Sequence, residues 1–466
     1  MRREARSSAR RSLLAAFALA CAACARDAAD RPESNVLLVT LGSVRADHLG
    51  CYGHGAGASP HLDELALGGV RFDLALSTAA LAPQAHASIL TGLNPFRHGL
   101  RVLQGAFGDR LPADAPTLAR LLADHGWRCA AFVSSYAVSR AYGLDAGFEH
   151  FDARFDPQAA PAALDERRAA RRTRTQRRAD DTTDAALTWL EQYGEEGPWF
   201  SWVHYHDLCD EALVPPREFA AEHGVDYDGG ASGPGDERRR LSDLELRYVD
   251  RELGRLVDWL RRSGQYERTL IVVVGDHGQE PASERVRGGW AGDGTLAQWS
   301  IQVPLVLRLP DDGPHPASVA GLVRTIDVVP TVLEALAQPL PAHLDGRSLL
   351  PILRGQMDEP RVAYAESLGA SDARAPRDEA HPALEHDRFA LLDRRWKLIY
   401  QRADGSLGVL YDLRLDPQES EDLYDQFPEQ VARLGRFLSQ HQPFDLSATS
   451  PIGPGPDLAA LQELGY

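Results

Sequence analysis

The chain reads as two alternating rhythms of apolar and polar positions. Residues 35–41 (Asn35-Val36-Leu37-Leu38-Val39-Thr40-Leu41) are an almost unbroken β-branched and apolar run, the pattern of a strand buried on both faces. Residues 129–133, 199–204, 269–274 and 303–309 repeat that pattern. Helical spacing separates them. It predicts helices over 60–67, over 117–125 with Leu118, Leu121 and Leu122 on one face and Gly126 as the stop, over 182–192, 241–262 and 325–335. Strands alternating with helices predict an α/β fold, a large mostly parallel sheet sandwiched by helices. After about residue 360 the rhythm shortens. Residues 388–392, 396–401 and 409–413 read as strands, with Ala403-Asp404-Gly405 as a hairpin turn and a last helix near 428–441. This predicts an α/β domain over 35–360 and a small C-terminal antiparallel α+β subdomain and tail over 361–466. Residues 166–178 carry seven arginines and read as a solvated helix or loop.

The first 34 residues fall outside both rhythms. A basic start (Arg2, Arg3, Arg6, Arg10, Arg11) precedes a short apolar run from Leu13 to Ala20. That run is too short to span ~30 Å of hydrocarbon as a helix and reads as an export signal over 1–24, with 25–34 as a tether. Leu19-Ala20-Cys21 resembles a bacterial lipobox, which makes Cys21 the expected acylated residue and Cys24 the second candidate. A lipid anchor on the outer face of a bacterial envelope membrane follows as an expectation. The net charge of −17 opposes binding to phosphate backbones, so no nucleic-acid partner is expected. Cys51, Cys129 and Cys209 remain beyond the leader, too few and too scattered for a disulfide framework, although one pair could bond.

Several stretches carry a resemblance. They are NVLLVTLGSVRADHLGCYG at 35–53, HASILTGLNPFRHG at 86–99, VVVGDHG at 272–278, VPLVLRL at 303–309, DGRSLL at 345–350 and WKLIY at 396–400. In this order and spacing they resemble the sulfatase family of the alkaline-phosphatase superfamily, from about residue 35 to 440. The resemblance implies the two-part fold read above and a sulfuric or phosphoric ester hydrolase. It also implies a divalent cation of the Ca²⁺ type, a nucleophile near the first strand, and histidines and a lysine that bind the anion. Such a cation wants six to eight oxygen ligands.

The chemical positions of that pattern are altered. Where the resemblance expects acidic metal ligands after the first strand, the chain has Gly42-Ser43. The nucleophile slot, anchored on His86-Ala87-Ser88, holds Ala82, and a one-residue slip would put Leu81 there. Neither offers a hydroxyl or thiol, and Ser77, Thr78 and Ser88 are out of place. In His204-Tyr205-His206-Asp207-Leu208-Cys209, the anion-binding second histidine of the pattern is Cys209. The lysine-or-histidine slot holds Asp293. At 4 Å and an effective dielectric of 20, a carboxylate and an anion repel by about 4 kcal/mol. Asp276-His277 keep the second metal pair, either as a residual cation site or as fold residues bonded to backbone.

These positions predict an exported pseudo-sulfatase with no catalytic residues and no resident cofactor. Gly42, Ser43, Ala82, His86, His204, His206, Cys209 and Asp293 would line the former cleft, where an unidentified ligand or partner binds. The alternative is an active hydrolase with relocated chemistry, drawing on Asp276, His277, His86, His206 or Asp293. A scaffold role in an envelope complex is a third expectation.

Overall fold

A computed structural model describes residues 34–55, 57–101, 110–155, 176–209, 215–225, 235–278, 296–310, 315–356, 360–368, 388–401 and 407–441. The leader with Cys21 and Cys24, the arginine-rich segment up to residue 175, Asp293 and the Ala403-Asp404-Gly405 turn lie outside the described residues. Among the described residues no helix is long and apolar enough to cross a membrane.

The elements are β1 (Asn35–Leu41), α1 (Pro60–Leu67), β2 (Val70–Leu76), α2 (Ala82–Thr91), α3 (Leu118–Ala123), β3 (Arg128–Val133), β4 (His150–Asp152), α4 (Ala179–Tyr193), β5 (Trp199–Tyr205), α5 (Gly235–Arg262), β6 (Thr269–Gly275), β7 (Gln302–Val303), β8 (Leu305–Arg308), β9 (Ser318–Arg324) and α6 (Val328–Ala335). β10 (Ala363–Ser367), β11 (Arg388–Leu392), β12 (Trp396–Gln401), β13 (Leu407–Asp412) and α7 (Pro428–His441) follow. The large sheet runs β4-β3-β5-β1-β6-β8-β2-β7, with β9 paired to β2. β1 is parallel to both β5 and β6, and β3 is parallel to β4 and β5. The run at 303–309 is broken at Pro304, which has no N–H for the ladder, so it forms two short strands.

β1 shows why a continuous apolar run makes a central strand. Val36 and Leu38 enter one core with Phe200, Trp202 and Val272, under α2 and α6. Leu37, Val39 and Leu41 enter the opposite core with Trp199, Val203 and Val273, under α4 and α5. Successive side chains point to opposite faces, so both faces demand apolar residues.

β10 to β13 form a separate antiparallel sheet. One face takes Leu434 and Leu438 of α7; the other packs Ala365, Ala390 and Leu392 on Leu76, Ile301 and Leu322 of the large domain. The chain's only lysine, Lys397, is fully buried there and donates to Glu419 Oε1 at 2.6 Å.

Candidate functional site

The register of three parallel strands builds the site. Thr40 on β1 lies beside His204 on β5 and beside Val274 on β6. Asp276 follows two residues after Val274, so Thr40, His204 and Asp276 gather at neighbouring strand ends. Ligands bind at such ends in α/β sheets. α2 lies over them. It is buried along its whole length, its polar residues Gln84, His86, Ser88 and Thr91 included. Pro83 fits its first turn, where a missing N–H costs nothing.

α2 carries His86, fully buried, into the centre of the group. Its Nδ1 is 2.8 Å from the Ala82 carbonyl oxygen, which can only accept, so Nδ1 carries the proton. Burial holds this imidazole below its usual basicity, against the pull of Asp276, so the ring is neutral and Nε2 is bare. Nε2 therefore accepts from Thr40 Oγ1 at 3.1 Å. Trp202 Nε1 donates to the same oxygen at 2.9 Å. Thr40 has spent its one proton, so His204 Nδ1, also at 3.1 Å, must donate to it. Burial, then the imidazoles of His86 and His206, depress the basicity of His204 further. Its Nε2 is thus a bare lone pair, buried with no hydrogen-bond partner among the described residues.

Asp276 is the second fixed point. Its Oδ1 accepts from the backbone N–H groups of Ser43 at 2.9 Å and His277 at 2.5 Å. Its Oδ2 is buried without a hydrogen-bond partner among the described residues, 3.7 Å from both His86 Nδ1 and His277 Nε2. Ser43 has a left-handed backbone, φ 56°, which aims its N–H at the carboxylate. The Gly42 N–H donates to the Tyr205 carbonyl at 2.8 Å. Arg45 donates to Asp47 at 2.9 and 2.6 Å through Nε and Nη2.

These residues do not fit a hard divalent cation. Among the described residues no three His, Cys, Asp or Glu side chains are grouped to hold an ion. One carboxylate oxygen of Asp276 is taken by two N–H groups, and Gly42-Ser43 add no carboxylate. The structure brings Gly42, Ser43, Ala82, His86, His204, Asp276 and His277 to this corner. Cys209 ends a turn, Asp207–Cys209, just past β5, and its side chain lies outside the description. Cys51 and Cys129 are free thiols.

Sequence reasoning missed Thr40, Trp202 and Gln176. Gln176 is buried, with its side-chain nitrogen 3.2 Å from His206 Nε2. Arg177 is buried too, bonded to Asp152 at 3.0 Å. The end of the arginine-rich segment is therefore packed structure, a correction to the solvated reading, because Asp152 and Thr182 offer that guanidinium partners.

Asp207 fixes the start of α4, accepting the Ala179 N–H at 3.0 Å. Full burial pushes its carboxyl up to about 7, above the unfolded value. The folded state then holds a proton that the unfolded state has lost between about pH 4 and 7. Stability should fall as pH rises through that window, by at most about 1.4 kcal/mol per pH unit. Asp207→Asn should flatten this dependence in urea titrations; an unchanged slope would assign the effect elsewhere.

The comparisons agree with this architecture. Residues 34–338 match the sulfatase family, and residues 288–441 match the family described as N-sulphoglucosamine sulphohydrolase, C-terminal. The chain is an α/β protein of the alkaline-phosphatase superfamily, and it belongs to the sulfatase family. It is 28% identical to human arylsulfatase A, covering 97% of this chain and 94% of that protein. It is 20% identical to an N-acetylglucosamine-6-O-sulfatase of Bacteroides thetaiotaomicron, covering 92% and 90%. The crystal structure of a phosphonate monoester hydrolase of Agrobacterium radiobacter shares the fold, with a TM-score of 0.67, 22% identity, and coverage of 91% and 100%.

Proposed function

We propose that this protein is an exported, lipid-anchored, non-catalytic sulfatase homologue that binds a ligand in the former ester cleft. The observation that carries the reading is Ala82 at the head of α2, buried beside His86 and offering no nucleophile. Nearby hydroxyls do not replace it. Ser77 donates to the Ala79 carbonyl at 3.0 Å, and Thr78 donates to Ser88 at 2.7 Å. Ser88 faces His98 Nε2 at 3.0 Å, which has the look of a serine–histidine pair. His98 Nδ1, however, accepts the Leu100 N–H at 3.1 Å, and burial pushes this ring down to about 3. Its proton sits on Nε2, so it cannot take one from Ser88.

Purified mature protein should release no product above background from aryl sulfates or aryl phosphates, with or without Ca²⁺, Mg²⁺, Mn²⁺ or Zn²⁺. Turnover that persists through purification and falls in Asp276→Ala would install relocated chemistry instead. For the anchor, Cys21→Ser with Cys24→Ser should free the protein from the membrane fraction or block its processing; a processed, membrane-bound double variant would remove the lipoprotein reading.

A further inference from the structure

We infer that the cleft has changed the sign of its ligand, from an anion to a hydrogen-bond-donating organic cation, an alkylammonium group. This inference rests on the non-hydrolytic reading above.

Two buried acceptors in this corner, Asp276 Oδ2 and His204 Nε2, have no hydrogen-bond partner among the described residues. Both belong to residues that neighbour the His86 imidazole. Asp276 Oδ2 is 3.7 Å from His86 Nδ1, and the His204 and His86 rings are 4.6 Å apart between centroids. Farther along the row, His206 lies 6.0 Å from His204, ring to ring. Gln176 meets His206 there, with its own Oε1 also unpartnered among the described residues. The hydrogen-bond chain through Thr40 fixes His204 Nε2 as a lone pair, so it cannot donate to a sulfate oxygen. A buried acceptor left alone costs about 1–3 kcal/mol, more for a charged one. A ligand bringing N–H donors and a positive charge removes both penalties; a sulfate would add repulsion. The donor set is too poor in oxygen for a hard divalent ion, whereas an ammonium group needs only a few acceptors in hydrogen-bond reach. His277, with 14% of its side chain exposed, marks the solvent side of Asp276.

The test uses the intact mature protein and four probes: ethylammonium, 1,4-diaminobutane, sodium sulfate and sodium phosphate. Binding is read by calorimetry and by thermal midpoint at constant ionic strength. Saturable binding of the amines is expected, with none of the anions. Asp276→Asn should weaken it at least tenfold, and His204→Phe should do the same. Saturable sulfate or phosphate binding without amine binding would overturn the inference, as would no binding of any probe. Amine binding equally strong in a folded Asp276→Asn would also overturn it, by placing the amine elsewhere. If Asp276→Asn fails to fold, His204→Phe supplies the same comparison, and unweakened amine binding in it overturns the inference equally. Ester turnover, measured separately, would instead defeat the non-hydrolytic reading.

Discussion

Arg101→Met should lower unfolding stability by about 3–5 kcal/mol, the usual cost of leaving a buried charge without its partner. Arg101 Nε and Nη2 reach Glu366 Oε1 and Oε2 at 2.9 and 2.5 Å, and Tyr364 donates to Oε2 at 2.5 Å. Glu366 is fully buried, and Arg101 is 4% exposed. The Glu366 N–H also donates to the Thr78 carbonyl at 2.9 Å, so this residue ties β10 to the segment before α2. Removing the guanidinium leaves a carboxylate in a closed interface between the two sheets. The double variant Arg101→Met with Glu366→Gln should recover much of the loss, since no charge then remains buried. Urea titration of the three proteins checks this. A loss under about 1 kcal/mol in the single variant would show that water reaches Glu366.

Burial on one face or on both, and the polarity of what is buried, decided which strands were legible in the sequence. β1, β5 and β6 were readable because both faces are buried, so nearly every residue of each run had to be apolar. β2 and β10 escaped. In Val70-Arg71-Phe72-Asp73 the alternation is genuine, but half-exposed polar members interrupt the apolar run. β10 is Ala-Tyr-Ala-Glu-Ser, and its Glu366 is polar yet buried, which hides the strand from any apolar pattern. In the site, Asp276-His277 could be placed from their position after an apolar strand. Thr40 could not be singled out, because one threonine in a β-branched run looks like strand composition; only the neighbouring His86, His204 and Trp202 give its hydroxyl a role. Gln176 was masked by the arginines around it.

On the non-catalytic reading proposed above, Gly42→Asp, Ser43→Asp and Ala82→Ser together should create cation binding without creating catalysis. Residue 43 sits at φ 56°, a conformation that Asp tolerates better than most residues, so a carboxylate fits the backbone there. The backbone N–H of this residue is 2.9 Å from Asp276 Oδ1, so the new carboxylates lie beside an existing one. At 4 Å and an effective dielectric of 20, each such pair repels by about 4 kcal/mol. A divalent ion would relieve that repulsion, so the thermal midpoint should become dependent on Ca²⁺ or Mn²⁺. Chemistry should not follow. A serine at 82 needs a base, but His86 Nδ1–H is held by the residue-82 carbonyl and Nε2 by Thr40. The positions that the resemblance assigns to anion binding, Cys209 and Asp293, are unchanged in this variant. Losing a nucleophile from such a cooperative unit removes about 10⁶ in rate, and returning one part of several restores little. Aryl sulfate turnover by the triple variant more than about a hundredfold above wild type would show that those three positions alone silenced an otherwise intact pocket.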